Sequence, residues 1–214
     1  LSGLKKLLEK HGILLVCDEV MAGFGRTGKL FAFQHSDIVP DILTMAKGLT
    51  SSYIPLGAVG LSDKIAAHFQ ENVFWGGLTY NSHALALNTA SAVINVLLEE
   101  KLTENAASLQ PIMREEMDRL QAKHPCVKAG RCIGLFGMMD LRKNEAGDPL
   151  APYNGTHPAM KELGAFFRKE GLFTFVRWSS FMCNPPLCIN EEQLREGFAI
   201  IDRGLDLVDK HFEG

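Results

Sequence analysis

The sequence predicts an α/β fold, a sheet covered by helices, and three observations predict it. Uninterrupted apolar runs too short for helices recur along the first part of the chain. Between and after them lie segments whose apolar residues are spaced three and four apart, the helical period. With 214 residues, 46% of them hydrophobic and 22% charged, the chain can bury a sizeable core. The same figures exclude a disordered or fibrous protein.

Taken in order, Leu4, Leu7 and Leu8 mark one face of a first helix, and Gly12 stands where such a helix stops. Residues 13–17 form a buried strand that ends on Asp18 and Glu19. Residues 41–46, DILTMA, repeat that form and end on Lys47 and Gly48. A third strand covers 57–61, after which Ser62 and Asp63 cap a short helix over 64–69. From Asn81 the period becomes helical, and HALALNTASAVINVLLEE reads as a long helix whose alanines permit close packing on a sheet. A second long helix over 104–123 places Leu109, Ile112, Met113, Met117 and Leu120 on one stripe. Residues 133–141 then read as a strand, 159–169 as a helix and 172–176 as a strand. The last helix starts at the cap Asn190, with Glu191 and Glu192 in its first turn to suit the dipole. Its stripe, Leu194, Phe198, Ile201, Leu205, Val208 and Phe212, is that of a helix packed on a sheet. A domain boundary near residue 101 separates 1–100 from 101–214, and no internal repeat is present.

Charge and composition exclude several partners. With 22 basic against 25 acidic side chains, a net charge of −3 and no cluster of Lys or Arg, nothing marks a nucleic-acid or anionic-membrane surface. Small molecules or protein are the expected partners. No apolar stretch approaches the roughly 20 residues of a membrane-spanning helix, and LSGLKKLLEKHG lacks the features of a secretory signal. The 5 cysteines are scattered without a CxxC pair, which points to reduced thiols in a cytoplasmic protein. The 7 histidines include no HxH, HxxxH or HExxH, so no metal site is expected.

Gly23, Gly25 and Gly28 in GFGRTG match the dinucleotide pattern GxGxxG and follow a strand. The residues that follow, KLFAFQH, offer no cap and open no helix, which a dinucleotide turn requires. GFGRTGKL also misses the phosphate-loop pattern by one position, because Leu30 stands where a metal-binding hydroxyl is needed. An irregular loop with positive φ angles is the better reading of these glycines.

Asp18 and Lys47 end two apolar runs, so both should emerge at the carboxyl edge of one sheet, where open α/β sheets bind ligands. Such a pair has a specific chemical use. Pyridoxal phosphate needs a lysine amine for its Schiff base and a carboxylate to keep its pyridine nitrogen protonated. Burial in an apolar site would favour the neutral, nucleophilic amine.

The stretch from Ile13 to Asn81 resembles the class III aminotransferases, a fold-type I pyridoxal-phosphate family that includes the ω-amino acid transaminases. LLVCDEVMAGFGRTGKLFAFQ is similar to their aspartate strand and loop, and PDILTMAKGLTSSYIPLGAV to their lysine segment. GGLTYNSHALAL is similar to their phosphate-binding turn and helix, and NPPLCINEEQL to a strand-to-helix turn near their C-terminus. The resemblance implies the C-terminal part of the cofactor-binding large domain followed by an α+β small domain. It implies Lys47 as the Schiff-base lysine and Asp18 as partner of the pyridine nitrogen. Val20 would pack on the ring, and Thr79 would bind the cofactor phosphate of a neighbouring subunit in a homodimer. A hydroxyl just before a helix start near Asn81 is itself a reasonable anion ligand.

Arg177, at the end of the 172–176 strand, is a candidate for the substrate carboxylate, with a surface ion pair as its ordinary alternative. Its spacing to Pro185 and Pro186 differs from the family pattern. The implied reaction moves an amino group from an amine or ω-amino acid to a keto acid such as pyruvate. An aminomutase, racemase or decarboxylase using the same machinery, or a non-catalytic remnant, are the competing readings. The family's upstream phosphate cup and stacking aromatic have no counterpart after Leu1. The chain is therefore expected to be a C-terminal half that binds the cofactor poorly alone and leaves an apolar face bare.

Overall fold

Helix α1 (Ser2–Lys10) stops where Gly12 takes a φ of +64°, and its Lys5 ties it to the sheet that follows. The Asp41 carboxylate accepts hydrogen bonds from Lys5 Nζ and from the Leu15 amide, both at 2.8 Å. The Leu15 amide bond and the Lys5 pairing hold that carboxyl below its ordinary range. The computed structural model describes residues 1–214, which divide into two compact units, Leu1–Glu104 and Asn105–Gly214.

The first unit carries a three-stranded sheet in the order β1-β2-β3: β1 (Val16–Asp18), β2 (Ile42–Met45) and β3 (Ala58–Leu61). β1 and β2 are parallel with Asp18 beside Thr44, and β3 runs antiparallel with Leu61 opposite Ile42. Helix α2 (Asp63–Glu71) begins after Ser62 as expected, but the Ser62 hydroxyl makes no cap and its oxygen is buried without a partner. Helix α3 (Ala84–Glu99) starts later than Asn81, because the His83 ring is the cap and accepts from the Ala86 amide at 3.4 Å. Burial on both sheet faces is not found. Ile13, Leu14, Val16, Val59 and Leu61 are all exposed in this chain.

Helix α4 (Leu102–Lys123) leads through the boundary into the second unit, where Leu109, Met113, Met117 and Leu120 are buried as their stripe requires. A four-stranded antiparallel sheet in the order β4-β5-β7-β6 follows: β4 (Val127–Ile133), β5 (Phe136–Leu141), β6 (Val176–Arg177) and β7 (Ser180–Cys183). Helix α5 (Pro158–Lys169) separates the first two strands from the last two, and α6 (Glu191–Asp209) ends the unit. The expected strand over 133–141 is instead a hairpin: Ile133 closes β4 and pairs with Phe136 across a turn in which Gly134 has a φ of +56°. The expected strand over 172–176 joins the ladder only at Val176.

One core fills this unit. Leu163 and Phe167 from α5, Phe181 from β7 and Leu194, Phe198, Ile201, Leu205 and Val208 from α6 join the α4 stripe. Phe212 lies past the end of α6 and packs on the core's margin. Asn190 and Gln193 form a reciprocal capping box at the start of α6.

Ion pairs lock α4 to α6. Buried Glu116 meets Arg195 at 2.6 Å and Arg119 at 2.9 Å. The buried His124 ring lies between Asp209 at 2.7 Å and Asp202 at 2.8 Å, and Asp202 also pairs with Arg119 and Lys123. His124, Asp202 and Asp206 thus bring ligand-type atoms close together, but cations already occupy Asp202.

Candidate active site

The parallel pairing of β1 and β2 decides where the two chemical groups emerge. Asp18 is the last residue of β1 and lies beside Thr44; one residue past Met45 and Ala46, the chain turns at Lys47. Both therefore stand at the carboxyl edge of neighbouring strands. Asp18 Oδ1 accepts from the Val20 amide at 3.0 Å, which bends the chain away from the sheet and leaves Oδ2 unused. Neither Asp18 nor Lys47 forms an ion pair, and both side chains are exposed rather than enclosed in an apolar pocket.

Lys47 itself has a φ of +44°, in the left-handed region that favours glycine. The neighbouring Gly48 is required by close packing, since a Cβ there would come within 2.9 Å of Phe24 Cβ. Phe24 belongs to the glycine loop, where Gly25 and Gly28 have φ values of +86° and +80°. No α-helix opens at these glycines, in agreement with the irregular reading of GFGRTG, although a five-residue 3-10 helix, Ala32–Ser36, follows Phe31.

Glu19 was not singled out by sequence and proves to be the loop's anchor. Only 3% exposed, its carboxylate accepts from the Ala32 amide at 3.0 Å and the Phe33 amide at 2.8 Å. Two backbone donors satisfy the buried charge and pin the far end of the loop beneath the sheet edge. The adjacency of two acids at a strand end was the available signal: one can face outward only if the other turns in. Arg26 is half-buried in the same loop, and burial lowers its guanidinium from the ordinary value.

The structure brings Asp18, Val20 and Lys47 to one edge. Thr79 lies in an exposed turn of the first unit, several residues before α3, and so is not at that helix's N-terminus. Arg177 belongs to the second unit. It lies within β6 rather than beyond a strand, forms no ion pair, and stacks with its guanidinium carbon 4.3 Å from the Trp178 ring centre.

A parallel strand pair in an α/β unit presents a carboxylate and a lysine at one edge, with a glycine loop between them in sequence. The Aminotransferase class-III profile matches residues 1–205, and the chain belongs to that family. It is 34% identical over 205 residues to the putrescine–pyruvate aminotransferase of Pseudomonas aeruginosa, covering 95% of this chain and 44% of that one. The taurine–pyruvate aminotransferase of Bilophila wadsworthia is 31% identical over 224 residues, covering 98% and 48%. Among solved structures, the taurine:2-oxoglutarate aminotransferase of Bifidobacterium kashiwanohense, in complex with PLP and glutamate, superposes with a TM-score of 0.94 at 40% identity. That match covers 99% of this chain and 48% of the other. The chain spans about half the length of the relatives it matches. No helix is long and apolar enough to cross a membrane.

Proposed function

We propose that the protein is a pyridoxal-phosphate-dependent transaminase that moves an amino group from an amine or ω-amino acid to a keto acid such as pyruvate. The observation that carries this reading is the Asp18–Lys47 edge: two groups of opposite charge on adjacent parallel strands, neither spent on an ion pair. The donor set fits the cofactor, since Lys47 offers an unpaired amine and Asp18 an unused carboxylate oxygen. When bound, pyridoxal phosphate supplies an electron-accepting ring that acidifies the substrate Cα proton. Asp18 keeps the pyridine nitrogen protonated through charge and a hydrogen bond. Lys47 would hold the cofactor through its amine and, when free of it, would take the proton from substrate Cα and pass it on to the cofactor, serving first as general base and then as general acid. Val20, whose backbone amide donates a hydrogen bond to Asp18 Oδ1, would pack on the ring. Thr79 donates its hydroxyl to the phosphate of a neighbouring subunit's cofactor, which makes the working form a homodimer. Arg177 holds the substrate carboxylate. In this reading the two units are the C-terminal part of the large domain and the small domain, and the free cysteines suit a cytoplasmic protein.

Borohydride reduction of the cofactor-loaded protein followed by peptide mass mapping tests the central assignment. The adduct is expected on Lys47, and Lys47→Ala should lose both the adduct and the visible absorption of bound cofactor. Retention of that absorption and of turnover in the variant would overturn the reading.

A further inference from the structure

The GFGRTG loop between Asp18 and Lys47 has no part in the function proposed above, yet its packing leads to the lysine. Phe24 is only 6% exposed and has a φ of +56°, which few side chains adopt. Its ring meets the Phe31 ring edge-on at 5.4 Å, and Phe31 stacks on Phe33 at 5.8 Å with the planes 7° apart. Gly23 permits this approach, since a Cβ there would lie 3.2 Å from Phe31 Cδ1 and 2.8 Å from the Glu19 carbonyl oxygen. The Phe33 amide donates to the buried Glu19 carboxylate at 2.8 Å, and the Gly23 amide to the Glu19 carbonyl at 2.9 Å. Three aromatic rings thus connect Phe24 to the residue that follows Asp18.

Phe24 also lies directly on Gly48. A Cβ on Gly48 would stand 2.9 Å from Phe24 Cβ, 3.3 Å from Cδ2 and 3.4 Å from Cγ, so the phenylalanine fills the space that a side chain at 48 would use. Gly48 follows Lys47, the residue held at a φ of +44°. A lysine gains nothing of its own from the left-handed region, and relaxing to a negative φ would swing the Gly48 peptide against the buried phenylalanine. Two hydrogen bonds close the turn on this backbone, from the Leu49 amide to the Ala46 carbonyl at 3.0 Å and from the Thr50 amide to the Lys47 carbonyl at 3.2 Å. The Lys47 side chain is exposed and no ion pair holds its amine, so the direction of that side chain is set by its backbone.

We propose that the glycine loop is a brace that aims Lys47: Phe24 is a positioning residue wedged on Gly48, and Glu19 holds it there through Phe33 and Phe31. The proposal rests on the reading of Lys47 as the cofactor lysine. A cofactor that meets Lys47 at one end and Asp18 at the other needs the two groups held at a fixed separation. The adjacent acids then serve opposite ends of one device, Asp18 facing the ring nitrogen and Glu19 anchoring the wedge that aims the amine.

Hydrogen exchange reads the brace without any cofactor. Phe24→Leu, from the loop side, and Gly48→Ala, from the lysine side, should each speed exchange of the Leu49 and Thr50 amides by about tenfold or more. Glu19→Gln should loosen the same two amides from the far end of the brace. Phe69→Leu in α2, the same change outside the brace, should leave them as they are. In protein loaded with pyridoxal phosphate, the pH at which the visible absorption changes reports the pairing of the ring nitrogen with Asp18. Asp18→Asn should move that pH, Phe24→Leu should move it in the same direction, and the double variant should move it no further than Asp18→Asn does. Unchanged exchange at Leu49 and Thr50 in Phe24→Leu or in Gly48→Ala, with unaltered circular dichroism, would overturn the proposal, as would fully additive shifts in the double variant. Absence of a reducible adduct on Lys47 in the unaltered protein would instead sink the transaminase reading, and the exchange result would still decide whether the loop braces the lysine.

Discussion

The two units of this chain satisfy their side chains in opposite ways. The second is closed on itself: its phenylalanines, leucines and methionines fill one core, and all but two of its arginines meet carboxylates. The first leaves its strands half bare, with Val16 and Val59 exposed, exposes Trp75 and Leu78 in the loop before α3, and leaves Asp18 and Lys47 unpaired. Where side chains are satisfied locally, a region supplies stability; where they are left unmatched, it presents groups to something else. The chemistry we propose for Asp18 and Lys47 falls in the unmatched unit, as expected if perturbed or unspent polar groups cluster at functional sites.

Phe198→Ala should sharpen this contrast most. Phe198 is 2% exposed in the core, and its truncation should cost about 3–5 kcal/mol in denaturant unfolding, whereas Val59→Ala in the first unit should stay within about 0.5 kcal/mol. Equal losses would mean that the first unit's strands are better packed than their exposure indicates.

Asp202 comes next. Burial would push its carboxyl up, but hydrogen bonds from Arg119, Lys123 and His124 together outweigh burial and hold it well below the usual carboxylate range. Its folded value is depressed, so its contribution is present above about pH 4, the ordinary aspartate value, and is lost as pH falls toward the folded value. Wild-type stability should decline on acidification below that point. Asp202→Asn should be less stable at neutral pH and show a shallower decline, with the difference between the two shrinking in acid. An unchanged acid limb in the variant would show that other carboxylates control it.

The smallest expected effect is at the capping box. Asn190→Ala removes the acceptor for the Gln193 amide, bonded at 2.9 Å, and should cost about 1 kcal/mol with faster hydrogen exchange confined to the first turn of α6. Exchange that spreads through the helix would mean that the cap, rather than the core stripe, sets its stability.

The helices of the second unit were legible because their apolar stripes have nowhere else to point; the α6 stripe from Leu194 to Val208 is buried as spaced. The strands were less legible. Residues 133–141 are apolar through the turn at Gly134 and Leu135, and Leu135 is buried even though it bridges two strands, so composition could not show the hairpin. Phe173 is apolar yet 93% exposed, and it drew a strand several residues too early. In the first unit, apolar runs revealed strands but not whether this chain covers them. Asp18 and Lys47 could be placed at one edge because strand ends are readable. The start of α3 could not, because a histidine ring rather than Asn or Ser caps it.

The left-handed backbone at Lys47 has a bearing on laboratory evolution. A side chain at that φ costs on the order of 1 kcal/mol that glycine would not. A library screened for thermal resistance alone should therefore enrich Lys47→Gly and return tougher proteins stripped of their amine. Screens for hardier variants of this fold need a chemical readout beside the thermal one, or they will select against the residue that the backbone is strained to present.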